Sequence, residues 1–463
     1  MLASKPARFS QFDIMTKWVV SLAVALLSVA QCCAAKNILF LSYPLYSHVF
    51  GMANVGRFLQ SQGHNVLLAV PPQLKDKLED HGANILLYSC LGDYPEERLA
   101  RNLTLKNYFA TPSILQRIRR LLQGNDALQL NVVIKMLKDA RLLKDIEDFK
   151  PDLIVLDSSS FAMMLTLIPY KLNVPFIMMG STESPQRTRA PIIPSVYPHN
   201  WFPYTDQMTF LQRVSNTIAL LLAYRQSAFI DPTFVSEYIA DKPYISPIDL
   251  QAKAQLWIVR QHSVLSYNPP IMPNVKRVGN LQTFKHKPLP PKLQAFVENA
   301  VNGVVIVSFG SVLASIPFQV QDKLLAAFKQ TKFKFIIQDS VLHGNQSDKF
   351  MFQRWLPQFD LLRDSKTELF ITHCGSNGLQ EAVIAGVPII GFPVFGDQPE
   401  NAGRIFRKGY GLRLNLKSFS VEELVSAIDE VTSNSSYKAK VEKASTILKS
   451  ERVPPIEEAA FWI

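Results

Sequence analysis

The loop His373-Cys374-Gly375-Ser376-Asn377-Gly378 holds the residues of this chain best suited to grip an anion. It lies between an apolar run of strand length at 368–372 and a helix-forming run at 379–385, which Gly386-Val387-Pro388 stops. The N–H groups and positive dipole end of such a helix point at whatever occupies the loop, and Gly375 and Gly378 let the backbone approach it closely. His373 and Asn377 add side-chain donors, and Glu381, one turn into the helix, could accept from a ribose hydroxyl. Upstream, Trp355 offers a flat face for a base; downstream, a second apolar run at 388–394 ends in Phe395-Gly396-Asp397-Gln398. Each part has a plainer explanation, since strand–glycine loop–helix units are common and a single tryptophan usually belongs to a core. Their joint occurrence turns the reading toward base, ribose and phosphate held together.

Two α/β alternations must position these groups. The first opens with a strand at 37–42, a loop at 43–48, a helix over about 51–62 closed by Gly63, and a strand at 64–70 stopped by Pro71-Pro72. A βαβ opening of this kind predicts a parallel sheet. Residues 74–150 read as mostly helical, further strands fall at 152–156 and 175–179, and residues 258–266 continue the sheet. Asp157 stands at the carboxyl end of its strand, before Ser158-Ser159-Ser160. Proline and aromatic residues crowd 185–210, which reads as loop and irregular helix bordering a pocket. Pro269, Pro270, Pro273, Pro288, Pro290 and Pro291 then mark a linker over 268–292, because neither a helix nor a central strand runs through so many prolines. The alternation restarts with strands at 304–308 and 334–338, a turn Phe309-Gly310-Ser311, and helices at 319–330, 398–408, 421–432 and 437–449. The fold class is therefore α/β, with two doubly wound sheets in domains at 36–267 and 293–463.

Composition narrows the function classes. With 463 residues, 48% hydrophobic and 19% charged, the chain has ample core. The net charge of +11 comes without a long basic run; Arg117-Ile118-Arg119-Arg120 is the densest cluster, and no aromatics interleave with it, which argues against nucleic acid. Residues 1–35 read as a secretory signal: Lys17 precedes an apolar run at 18–30, and Cys33-Ala34-Ala35 offers small residues for cleavage. Cys32 and Cys33 lie in that signal, so only Cys90 and Cys374 remain, and neither a disulfide framework nor a metal cluster is expected. The sequons at Asn102, Asn345 and Asn434 carry meaning in a lumenal or secreted chain. Neither the 37–42 strand nor the 304–308 strand leads into a G-x-G-x-x-G turn, which sets aside a nicotinamide oxidoreductase.

Residues 355–398 closely resemble the signature of the UDP-glycosyltransferases, which move a sugar from a UDP-sugar to small lipophilic acceptors. The matching elements are Trp355-x-Pro357-Gln358, then His373-x-Gly375-Ser376-Asn377-Gly378-x-x-Glu381, then Asp397-Gln398. The resemblance implies two Rossmann-like domains facing across a cleft, the GT-B arrangement. It implies that Trp355 stacks on uracil and Gln358 bonds the uridine, while His373, Ser376 and Asn377 hold the diphosphate. Glu381 would take the ribose hydroxyls, Asp397 and Gln398 those of the donor sugar, and Ser311 could touch phosphate. Cys374 stands where many members carry Gly and others Cys. The family's Ser-His pair after the first strand matches Ser47-His48, and its strand-end aspartate matches Asp157. Alone, these would be a loop histidine and a helix-capping aspartate; with the resemblance they become general base and partner. Imidazole suits proton abstraction near neutral pH, and a carboxylate behind it would stabilise the imidazolium.

The expected activity is an inverting hexosyl transfer, without metal or cofactor, in which the UDP-sugar is a co-substrate. Glucuronate-using members often carry Arg where this chain has Pro269, so a neutral hexose such as glucose is expected over glucuronate. Membrane-bound members continue past the position of Ile463 into a membrane span and a basic tail. The expectation is thus a lumenal or secreted protein, or a membrane-bound one if the chain is part of a longer form. The alternative function is a non-catalytic UDP-sugar-binding protein.

Overall fold

Apolar runs that bury both faces of their strands build two separate sheets. The computed structural model describes residues 35–78, 82, 84–92, 127–181, 184–199, 202, 204–226, 232–282, 287–310, 316–339, 342–394 and 396–463. The first sheet contains β1 (Asn37–Leu41), β2 (Asn65–Val70), β3 (Ile85–Leu87), β4 (Leu153–Asp157), β5 (Phe176–Gly180), β6 (Trp257–Val259) and β7 (Val275–Arg277). Its order is β3-β2-β1-β4-β5-β6-β7, and the pairings are parallel. The second sheet contains β8 (Val304–Ser308), β9 (Lys334–Gln338), β10 (Phe350–Gln353), β11 (Thr367–Thr372), β12 (Ile389–Gly391) and β13 (Gly411–Arg413). It runs β10-β9-β8-β11-β12-β13, again parallel.

Alternation along each strand feeds a separate core on each face. Leu39 and Leu41 of β1 enter one cluster while Ile38 and Phe40 enter another; Val305 and Val307 of β8 divide from Val304 and Ile306 in the same way. Strand order reverses between β1 and β4 in the first sheet and between β8 and β11 in the second. Chains leaving the carboxyl ends of two such strands turn in opposite directions, and the crevice between them is where α/β sheets bind ligands.

Three expectations change. The first helix is Tyr46–Ser61, so it starts before Gly51, and His48 lies in its first turn rather than in a loop. Leu45, with extended backbone, accepts from the His48 and Val49 N–H groups at 2.9 and 3.0 Å and starts the turn there. Gly51 is an interior glycine because a Cβ there would meet Arg260 Nη1 at 3.2 Å. Second, β6 ends at Val259 instead of continuing to 266, because turns closed by Gln261 N–H to Val259 O and Leu265 N–H to His262 O bend the chain away. Third, β7 lies inside the stretch expected to be linker. It is a three-residue edge strand that stays clear of every proline, with Pro273 before it and Pro288 after. The last helix, Pro455–Trp462, returns from the second sheet to the first, where Ala459 and Ala460 pack into the cluster around Phe40 and Val55. Residues 1–34 and Asn102 lie outside the described residues. Among the described residues, no helix is long and apolar enough to cross a membrane.

Gly386, expected to stop the helix that follows the anion loop, does so in the left-handed region at φ 75°. Its N–H donates to Val383 O at 3.1 Å, and the next N–H donates to Ala382 O at 2.9 Å, the two-bond closure of a Schellman turn. A Cβ there would stand 3.3 Å from Glu442 Cγ. Gly386→Ala is expected to destabilise the protein by about 1–2 kcal/mol. Urea unfolding measures it, and an unchanged midpoint would show that the turn relaxes at no cost.

Candidate active site

At the crevice of the first sheet, His48 and Asp157 meet although 109 positions separate them: Nδ1 of the ring lies 2.7 Å from Oδ2 of the carboxylate. β1 and β4 are adjacent and in register, Leu41 beside Leu156, so the residues that follow them must converge. Asp157 is only 3% exposed and is an acceptor for several donors. Ser159 donates from N–H at 2.9 Å and from Oγ at 3.0 Å, and the Tyr43 N–H and Ser42 hydroxyl approach at 3.3 and 3.4 Å. Burial alone would raise this carboxyl, but the His48 ring and the Ser159 bonds hold it below its ordinary value. The arrangement suits a histidine that takes up a proton while a fixed anion stabilises the resulting charge.

The crevice of the second sheet carries the anion loop. The helix after β11 spans Ser376–Ala385 and has Gly375 as its N-cap, with no side-chain cap hydrogen bond. Cys374 precedes it in the left-handed region at φ 68°, where glycine is the easier residue. Its side chain is buried so closely that a Cβ on Gly391 would lie 2.3 Å from the sulfur. The His373 ring fits between two glycines: a Cβ on Gly310 or Gly375 would approach it to 2.7 or 2.6 Å. Burial pulls the imidazole down to about 4, against a hydrogen bond with the Ser308 backbone, so His373 is a neutral donor or acceptor at physiological pH. Ser376 Oγ accepts from Gln380 Nε2 at 3.2 Å. Gly378 faces Gln358, whose Nε2 a Cβ would meet at 3.4 Å.

Gln358 and Glu381, matched to uridine and ribose respectively, are bonded to each other, with Nε2 donating to Oε2 at 2.6 Å. Trp355 is 66% exposed and therefore belongs to no core. Asp397 precedes the helix Gln398–Lys408 and faces the cleft, where its Oδ2 accepts from Asn401 Nδ2 at 2.8 Å. Crowding by protein raises the Asp397 carboxyl while Asn401, Arg404 and His48 pull it back, so groups from both sheets act on it. Gln398 is buried and accepts from Val394 N–H at 2.9 Å. Ser311 lies outside the described residues. Asn345 is exposed, whereas Asn434 caps a helix by accepting from Ser436 N–H at 3.1 Å. Among the described residues, no group of three or more His, Cys, Asp or Glu is placed to hold a metal ion.

One residue absent from the sequence reading joins the two crevices. Arg260 follows β6, is 5% exposed, and donates from Nη1 to Asn377 Oδ1 at 3.2 Å, while its own carbonyl accepts from Gln380 Nε2 at 3.3 Å. Burial lowers its guanidinium, and Asp157 and Asp397 oppose that from either side of the cleft. The only sequence signal was position, a basic residue at the carboxyl end of a buried strand.

Burial pushes Glu381 up to about 7, against the Gln358 bond, from an ordinary value of 4.5. A carboxyl raised in this way adds stability that is complete below its unfolded value and is lost as pH rises through the folded one. Between pH 5 and 8 the ligand-free protein is therefore expected to lose about 2 kcal/mol, discounted for partial solvent contact, relative to Glu381→Gln. Thermal unfolding across that range checks it; parallel pH profiles for the two proteins would contradict it.

Comparison with known proteins gives the family and the fold. Residues 38–463 match the family model described as "UDP-glucoronosyl and UDP-glucosyl transferase". The chain is 28% identical over 437 residues to human (Homo sapiens) UDP-glucuronosyltransferase 1A1, covering 90% of this chain and 80% of that one. With human UDP-glucuronosyltransferase 1A9 it shares 29% identity over 466 residues, covering 97% and 86%. Among solved structures, the glycotransferase of kitacinnamycin superposes with a TM-score of 0.66 at 18% identity, covering 92% of this chain and 98% of that one. The spinosyn forosaminyltransferase SpnP gives 0.63 at 17% identity, with the same coverage. Two Rossmann-like domains joined across a cleft, a family match over nearly the whole described length and the loop chemistry all agree: the chain belongs to the UDP-glycosyltransferase family and is a hexosyltransferase of GT-B fold.

Proposed function

We propose that this enzyme transfers a neutral hexose, glucose in preference to glucuronate, from a UDP-sugar to a hydroxyl of a small lipophilic acceptor, with inversion and without a metal ion. The observation that carries this reading is the 2.7 Å contact between His48 Nδ1 and Asp157 Oδ2 at the first crevice. With Nδ1 held by the carboxylate, Nε2 takes the acceptor proton as the acceptor oxygen bonds to the anomeric carbon. The bond from that carbon to the diphosphate breaks, and UDP leaves with the electron pair. The helix N-terminus at Gly375–Asn377 and the neutral His373 meet the charge that develops on the diphosphate. A protein that only bound UDP-sugar would have no need of the histidine–carboxylate pair, which favours catalysis over the binding-only alternative.

The choice of sugar follows from the cations near the donor loop. Pro269 lines a small pocket with Tyr197, Tyr267, Glu400 and Arg404, and proline supplies no donor. Arg404 there is paired with Glu400, and Arg260 is engaged by Asn377 with Asp157 and Asp397 close by. A sugar carboxylate would have to displace these partners.

Two outcomes are expected. His48→Ala leaves UDP binding intact, because the donor loop belongs to the other sheet, while transfer falls by roughly 10²–10⁴-fold; Asp157→Asn loses less. Calorimetric titration of UDP together with turnover measures both, and near-normal transfer by His48→Ala would remove the residue from the mechanism. On one phenolic acceptor, UDP-glucose is expected to turn over faster than UDP-glucuronate; the reverse order would overturn the choice of sugar.

A further inference from the structure

Arg187 is a buried cation that the transfer mechanism does not use. It lies on the short helix Pro185–Thr188, which follows β5, and is 6% exposed. No carboxylate forms an ion pair with it among the described residues. Its Nη1 donates to the Ser158 carbonyl at 2.6 Å, and its guanidinium stands 5.8 Å from the centre of the Trp257 ring. Ser158 sits between Asp157 and Ser159, and Ser159 supplies two of the donors that hold the Asp157 carboxylate. The Ser158 N–H donates back to Met179 O at 3.0 Å, and a Cβ on Gly180 would come within 2.5 Å of Ser158 Oγ, so the turn is pressed against β5. Arg187 is thus a strap from the end of β5 across the end of β4.

A guanidinium is strongly disfavoured away from water unless its charge is met. The carboxylate whose field reaches it is Asp157, and the Tyr197 hydroxyl acts on it as well. An acceptor molecule could not use so buried a group, so its influence must be internal. We propose that Arg187 is a positioning residue for the transfer: it holds the Ser158-Ser159 turn against Asp157 and keeps that carboxylate charged behind His48. This rests on the reading of His48 as base and Asp157 as its partner. Burial lowers the Arg187 guanidinium to about 10, and Tyr197 and Asp157 oppose that, which leaves it a cation throughout the working range. The other groups around the pair are Tyr43 and Ser159 beside Asp157, Asp397 from the second sheet, and Arg260 between Asp157 and Asp397.

The test is the pH dependence of kcat/KM with UDP-glucose and a phenolic acceptor, for wild type, Arg187→Met, Arg187→Lys, and Arg187→Met combined with Asp157→Asn. Removing the cation makes protonation of the pair easier, so the acid limb should move up by roughly half to one pH unit in Arg187→Met. UDP affinity, read by calorimetry, should be unchanged. Arg187→Lys keeps the charge and should keep the limb; with Asp157→Asn present, Arg187→Met should add no further shift. A merely structural role would lower the rate at every pH and leave the limb in place, and that result overturns the proposal. Should Arg187→Met not fold, Arg187→Lys carries the test, since a limb that moves while the charge is retained also overturns it. If instead His48→Ala retains the wild-type acid limb at near-normal rate, the underlying assignment of the base fails, and the two failures are told apart.

Discussion

The candidate active site depends on pairs of parallel strands whose chains leave in opposite directions. β1 and β4 form one such pair and β8 and β11 the other. Nothing local brings His48 to Asp157; adjacent hydrogen-bonded strands fix the distance between residues 109 apart in the chain. The same geometry in the second sheet sets Gly310, after β8, against His373, after β11. Both sets of candidate site residues therefore hang from the carboxyl ends of strands whose own side chains are mostly buried apolar residues. The site inherits its rigidity from that packing rather than from its loops.

The two crevices face each other because a single segment after β6 is held by both sheets. Arg260 bonds to Asn377, Ser263 O accepts from Lys408 Nζ at 3.1 Å, and Val264 O accepts from the Tyr410 hydroxyl at 2.9 Å. His262 Nε2 stands 2.7 Å from Glu451 Oε1, a hydrogen-bond contact, since burial and Lys408 lower the imidazole. Residues 260–264 are thus the hub of the assembly, and the final helix adds a second junction by packing on Tyr46–Ser61. Charges around this hub alternate in sign, with buried Asp157 and exposed Asp397 both acting on buried Arg260. Such alternation offsets the cost of burying Asp157 and Arg260 as ionised groups.

The parts of this design that were legible in the sequence are those in which chemistry is local. The loop at 373–378, Glu381 one turn later and the glycine stop at 386 all sit within one strand–loop–helix unit, where spacing alone determines who faces whom. The central strands were legible too, since residues buried on both faces leave continuous apolar runs. The four strands missed, β3, β7, β10 and β13, are the four sheet edges. Each is only three or four residues long and is paired on one side, so it leaves too short a pattern to read. His48 was found by resemblance but assigned to a loop, because the helix was expected from about residue 51; it starts at Tyr46, and Gly51 lies inside it where Arg260 comes close. Arg260 and Arg187 carried no motif; their significance comes from burial, which depends on strands far away in the chain.

The left-handed, enclosed position of Cys374 has a consequence for redox behaviour. Its sulfur is sealed beneath Gly391, and burial, with the nearby Asp397 charge, raises the thiol far above its ordinary value. Cys90, the other free cysteine of the described residues, is pushed up to about 12 by burial and by Asp139. Thiolate is the form that attacks disulfides and electrophiles, and neither residue offers it at physiological pH. Among the described residues, one thiol packs against the core of each sheet, and the two are not paired with each other. Alkylating or oxidising reagents should therefore modify these two thiols only slowly while the protein is folded.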